Sequence, residues 1–180
     1  MNQVVLPGEL SGKIDIPSSK SQAHRLLICA ALSAAPVSVS LRGMSQDILA
    51  TCDCLCALGA DIREQDGGLL VNPICEVPKT EVMLACRESG STLRFLLPVC
   101  GMLGVNAVFC CEGRLVQRPL SPLDEELRAH GMEITKTAIR SSAEANSPQG
   151  HIPCRAMFPR SFSQDFCSPC RSWRVKARSA

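Results

Sequence analysis

Apolar positions recur along this chain at two spacings, and the switches between them lay out a series of elements. The runs QVVLP (3–7) and KIDIP (13–17) flank a glycine turn and each closes on a proline, so both are expected as short strands. After the polar loop SSKS (18–21), AHRLLICAALSA (23–34) has the apolar density of a buried helix, and VSVSL (37–41) alternates as a strand. Ser45 or Asp47 is placed to cap a second helix through ILATCDCLCALG (48–59), which Gly59 stops. ADIREQ (60–65) and GLLVNPI (68–74) then predict a hairpin hinged on Gly67 and Gly68.

The same order then starts again. VMLACR (82–87) predicts a strand, ESGSTLRFLLPVCGML (88–103) a polar loop opening a helix, and VNAVFCCEG (105–113) a strand. PLSPLDEELRAHG (119–131) predicts a helix closed by Gly131, and MEITK (132–136) a strand. Two copies of strand, helix, strand, helix, strand, strand at a spacing of about 65 residues make an internal repeat. The last strand of the second copy should follow Lys136, but 137–180 is rich in Ser, Arg, Pro and Cys and shows neither period. A disordered tail is one reading of it; a zinc site built from Cys167, Cys170, Cys154 and His151 is another.

Composition narrows the function. A net charge of +2, aromatics at 3% and no tyrosine give neither the basic footprint nor the stacking platforms of a nucleic-acid binder. No apolar run of about 18 residues and no basic-then-apolar leader is present, so neither membrane nor secretion is expected and the chain is expected to be cytoplasmic. Of the twelve cysteines, Cys29, Cys52, Cys54, Cys56, Cys75, Cys86, Cys100, Cys110 and Cys111 lie in apolar runs, where a reduced thiol serves as a small hydrophobe. The alternating spacing of CDCLC (52–56) would spread its sulfurs around a helix instead of gathering them on a metal.

Candidate chemistry sits at the two loop-to-helix junctions. Lys20 and Arg25, with Ser18, Ser19 and Ser21, stand where a helix start leaves backbone N–H groups free, which suits an anion. The glycines of a phosphate-binding P-loop are missing. In the second copy, Ser89, Gly90, Ser91 and Thr92 precede Arg94, and Gly90 would let backbone amides approach a ligand closely. Arg118, just before Pro119, adds another cation. Each of these basic residues taken alone could equally be solvated surface. Together they equip the chain for a small substrate of several negative charges.

PSSKSQAHRLLICAAL, SQDILATCDCLCALGADI, ESGSTLRFLLPVCGML and GRLVQRPLSPLDEELRAHGMEI resemble, in order, the N-terminal part of the 5-enolpyruvylshikimate-3-phosphate synthases, enolpyruvyl transferases of the shikimate pathway. The related cell-wall enolpyruvyl transferases share the repeat but carry a KN-type loop where this chain has SKS and HR. The resemblance implies an α+β fold of βαβαββ units, an inside-out α/β arrangement of two domains with the active site between them. Residues 1–19 would then hold the first strands of the partner domain and the crossover, and 20–136 about two units of the substrate-binding domain, leaving 137–180 as a non-native tail. It implies transfer of the carboxyvinyl group of phosphoenolpyruvate to the 5-hydroxyl of shikimate 3-phosphate, with phosphate released, in a cytoplasmic monomer that needs no cofactor and no metal. By matched position, Lys20, Gly90 and Arg118 would bind phosphoenolpyruvate, and Lys20, Ser21 and Arg25 shikimate 3-phosphate. Two departures stand out: Ser18 where many members have Gly, and Glu88 where many have Asn, the latter placing a negative charge beside an anion site. The proton-transfer residues of the family fall outside the matched region, so the chain alone is expected to be an inactive fragment, with a non-catalytic anion-binding role as the alternative.

The family pattern should continue with a strand, an SSQ-containing loop and an apolar helix. The tail supplies them only when its residues are back-translated and read one base earlier, where 153 onward permits LPGNVSSQFLSGFLFALPLLEG. A single-base shift near the Lys136 codon is the expectation that follows.

Overall fold

The computed structural model describes residues 4, 8–9 and 11–134, together with the backbone of the strand at 150–156. Its order is α1 (Lys20–Ala31), β1 (Val37–Ser40), α2 (Gln46–Ala57), β2 (Asp61–Gln65), β3 (Gly68–Asn72), β4 (Val82–Arg87), α3 (Gly90–Leu103), β5 (Ala107–Cys111), a 3-10 turn (Gly113–Gln117), α4 (Leu123–Ala129), β6 (Met132–Ile134) and β7 (Gly150–Ala156). It is a mixed α/β fold in which the anticipated alternation is visible.

The repeat reappears in how the strands pair. One sheet has the order β1-β3-β2, with β3 antiparallel to both neighbours. The other has the order β4-β5-β7-β6: β4 and β5 run parallel, and β7 lies antiparallel to both β5 and β6. In each copy the strand made last is inserted between its two predecessors. Among the described residues β6 meets its sheet through β7 alone.

The helices lie at the centre. α1 packs on β1 and β3, α2 on β2 and β4, α3 on β4 and β7, and the three helices touch one another. Their apolar faces meet in one core that includes Leu27, Ile48, Leu55, Leu84, Leu96 and Phe109, all buried. Burying each such side chain contributes roughly 1.5–3 kcal/mol. A single core spanning both copies means neither is an independent body. α4, by contrast, has no buried residue.

Several expectations are corrected. Residues 13–17 form no strand: a strand needs a neighbour, and Ile14 and Ile16 are 87% and 72% exposed with no described strand beside them. Of 3–7, only Val4 is described. The SSKS loop is shorter than expected, because Ser19 caps α1 and Lys20 and Ser21 already belong to its first turn. The helix expected over 119–131 is confined to Leu123–Ala129 and is preceded by an unanticipated 3-10 turn. Cys29, Cys56 and Cys75 are exposed, whereas Cys52, Cys54, Cys86, Cys100 and Cys111 are buried as expected. The backbone at 150–156 forms β7, paired on both edges although Pro153 stands opposite Val108. The rest of 137–180, with Cys167 and Cys170 and the side chains of His151 and Cys154, lies outside the described residues.

Candidate active site

Three serines start the three central helices. Ser19 Oγ accepts from the Gln22 N–H at 3.4 Å, Ser45 Oγ from the Ile48 N–H at 3.3 Å, and Ser89 Oγ from the Thr92 N–H at 3.3 Å. Each cap satisfies one of the orphan N–H groups of its first turn and leaves the positive end of the helix facing outward. Neither α1 nor α3 carries an acidic residue in that turn; α2 carries Asp47.

Asp47 ties the three starts together. Lys20, the first residue of α1, donates to its carboxylate. That bond, with a further one from Ser89 at the cap of α3, holds the Asp47 carboxyl below the usual range. A cation from the first copy and the glycine helix start of the second are thereby brought to one spot, although residues 20 and 90 are far apart in sequence.

Gly90 follows Ser89 and lies beneath two guanidinium groups. A β-carbon there would sit 2.9 Å from Arg94 Nη1, 3.3 Å from Arg118 Nη1 and 3.5 Å from Leu115 Cδ1. Arg94 is held by backbone, donating to the Gly90 carbonyl at 3.4 Å and the Pro119 carbonyl at 2.9 Å. Arg118 ends the 3-10 turn, its N–H bonded to the Leu115 carbonyl at 3.1 Å. Helix N–H groups next to two guanidiniums have the chemistry to receive a phosphate or carboxylate.

Ser21 and Arg25 form the other side. Arg25 Nη1 donates to the Ser21 carbonyl at 2.8 Å and also to its hydroxyl, and the guanidinium lies over the Phe95 ring at 4.9 Å. Phe95 belongs to α3, so this stacking links the two copies again. Both Ser21 and Arg25 remain exposed.

All five expected residues therefore lie on helix starts or turns of one connected cluster. Arg94 and Asp47 belong there as well, although the sequence marked the first only as a cation one turn into its helix and the second only as a possible cap. The Ser18 departure has a local role: its hydroxyl accepts from the Arg42 N–H at 2.7 Å, and its own N–H donates to the Arg42 carbonyl at 3.0 Å, docking the loop beside the end of β1. The Glu88 carboxylate fills the space over Gly113, at the start of the turn that Arg118 ends, where a β-carbon would collide with Glu88 Oε1. Among the described residues no group of three or more His, Cys, Asp or Glu side chains is placed to hold a metal ion, and no helix is long and apolar enough to cross a membrane.

Comparison with known proteins places the chain in a family. The family described as EPSP synthase (3-phosphoshikimate 1-carboxyvinyltransferase) matches residues 4–155, running past Lys136 into β7. The 3-phosphoshikimate 1-carboxyvinyltransferase of Clostridium kluyveri is 41% identical over 115 residues, which is 64% of this chain and 27% of that protein. Its counterpart in Clostridium beijerinckii is 42% identical over 127 residues, 66% of this chain and 29% of the relative. A solved structure of EPSP synthase from Acinetobacter baumannii superposes with a TM-score of 0.60 at 25% identity, covering 79% of this chain and 32% of that one. The chain thus spans under a third of the length of these relatives. With most of its residues matched, it belongs to the EPSP synthase (3-phosphoshikimate 1-carboxyvinyltransferase) family.

Proposed function

We propose that this chain forms one wall of a cleft for phosphoenolpyruvate and shikimate 3-phosphate, and that the whole protein of which it represents a portion transfers the enolpyruvyl group between them. The observation that carries this is the convergence of the α1, α2 and α3 starts around Lys20, Asp47 and Ser89, with the guanidiniums of Arg94 and Arg118 over Gly90. Lys20, Gly90 and Arg118 would face phosphoenolpyruvate; Ser21, Arg25 and again Lys20 would face shikimate 3-phosphate. In the reaction the 5-hydroxyl adds to C2 of phosphoenolpyruvate, and the tetrahedral adduct then expels phosphate. Both substrates are multiply charged anions that repel each other, and fixed cations neutralise them while holding the reacting atoms in line. The two copies would be two βαβαββ units of the inside-out enolpyruvyl transferase fold.

Alone, the 180-residue polypeptide is expected to bind anions and release no phosphate, because proton transfer in this chemistry needs an acid and a base that these residues do not supply. The test is titration calorimetry with each substrate, followed by a phosphate-release assay. Binding of shikimate 3-phosphate that Arg25→Ala weakens at least tenfold supports the site. Absence of binding, or binding indifferent to Arg25 and Lys20, refutes it, and phosphate release above background refutes the inactivity.

A further inference from the structure

Beneath the anion site runs a buried polar chain. His24, Thr51 and Thr92 are 0% exposed, and Ser89 is 2% exposed. His24 Nδ1 lies 2.7 Å from Thr51 Oγ1, Thr51 Oγ1 lies 2.7 Å from Thr92 Oγ1, and Thr92 Oγ1 lies 2.7 Å from Ser89 Oγ. The Lys20 ammonium donates to the Asp47 carboxylate, at the N-terminal end of the helix that carries Thr51.

A hydroxyl has one proton to give, so the direction of every bond in this chain follows from its end. That end is fixed at Ser89, whose Oγ accepts from Thr92 Oγ1. With its proton given to Ser89, Thr92 can only accept from Thr51, since two oxygens 2.7 Å apart without a proton between them would repel. The contacts of Thr51 and Thr92 with the Asp47 backbone carbonyl are longer, 3.3 and 3.4 Å, and cannot take those protons without breaking the shorter links. Thr51 is left as acceptor for His24, which must carry its proton on Nδ1. His24 Nε2 is then a bare acceptor, and it is buried without a partner among the described residues. Leaving such an atom unsatisfied costs about 1–3 kcal/mol, which the fold bears while keeping the tautomer that is the minor one for free histidine.

We infer that His24 is a positioning residue for the anion site: held as the neutral Nδ1–H tautomer, it polarises a one-way relay through Thr51, Thr92 and Ser89 that orients the Asp47 carboxylate on which Lys20 rests. The charged groups facing the imidazole are Asp47, Lys20 and Arg25, and its remaining aromatic neighbour is the Phe95 edge, with ring centroids 6.4 Å apart. Burial pushes the imidazole below its ordinary 6.5, which keeps it neutral. As a ligand-site statement this rests on the function proposed above; as a statement about protons it does not.

The experiment is long-range proton–nitrogen correlation NMR on the histidine-labelled chain, with His24 assigned by its absence in His24→Asn. The expected spectrum has a protonated Nδ1 and a bare Nε2 at pH 7. Thr92→Val, which cuts the middle link at nearly constant shape, is expected to release the tautomer toward Nε2–H, to raise the Asp47 titration midpoint, and to weaken phosphoenolpyruvate about tenfold by phosphorus NMR; Thr92→Ser is expected to restore all three. An Nε2–H tautomer or a free-histidine mixture in the wild-type chain overturns the inference, as does a Thr92→Val spectrum unchanged from it. If phosphoenolpyruvate fails to bind the wild-type chain while the tautomer and its response hold, the proposed ligand is overturned and the relay stands.

Discussion

Replacing Gly90 by alanine is expected to separate binding from stability. The added methyl would lie 2.9 Å from Arg94 Nη1 and 3.3 Å from Arg118 Nη1, so both guanidiniums must shift by a few tenths of an ångström. They are the far ends of flexible side chains, so the steric cost is small. Alanine meanwhile improves a helical position by about 0.5–1 kcal/mol relative to glycine. The two effects nearly offset: the net change is expected within about 1 kcal/mol, or roughly 2–4 °C in Tm for a chain of this size. Binding is expected to respond differently, because the displaced cations are those proposed to meet phosphoenolpyruvate. Losing one charge-assisted hydrogen bond costs about 1.5–3 kcal/mol, so affinity for phosphoenolpyruvate should fall by roughly 10- to 150-fold. Calorimetric titration at fixed low salt, paired with a thermal melt, reads both. An unchanged affinity, or a loss of stability above about 2 kcal/mol, would refute the reasoning that Gly90 is kept open for a ligand and not for packing.

Alkylation with iodoacetamide at pH 8, followed by mass spectrometry, should label Cys29 and Cys75 first and spare Cys52, whose thiol burial pushes up to about 12; early labelling of Cys52 would contradict the packing of α2. The folded His24 titrates below its unfolded value of 6.5, so the unfolded chain binds the extra proton and stability should fall as pH drops below about 6.5. This loss should be absent from His24→Asn in urea melts between pH 7 and 5. The Asp47 contribution lies in a separate window: its folded pKa is depressed, so stability present above 3.8 is lost only as pH falls through the lower folded value. Sequencing the coding nucleic acid around the Lys136 codon should reveal the SSQ-containing frame one base away; an uninterrupted tail frame with no such continuation would dispose of the shift.

The helices were legible because their signals are local. Ser19, Ser45 and Ser89 each stand where a cap must stand, and the apolar faces behind them carry the helical period. The candidate site residues stood out for the same reason, as cations and small residues in or beside loop-to-helix junctions. What joins them was not. The Lys20–Asp47 pair and the His24–Thr51 bond each span 27 positions and the Thr51–Thr92 bond 41, so nothing in a local window connects them. The strands were misjudged where alternation and pairing part company. Ile14 and Ile16 alternate well yet stand exposed, with no strand beside them among the described residues.

Inserting each copy's last strand between its predecessors also sets a schedule for a chain emerging from the ribosome. The first sheet can close once Asn72 is out, soon after β2. In the second, β6 has no described partner until β7 arrives, and Ile134 and Ala156 are separated by about one to four seconds of synthesis at about 5–20 residues per second. For that interval the β5 edge stands open, a ready template for a neighbouring nascent chain.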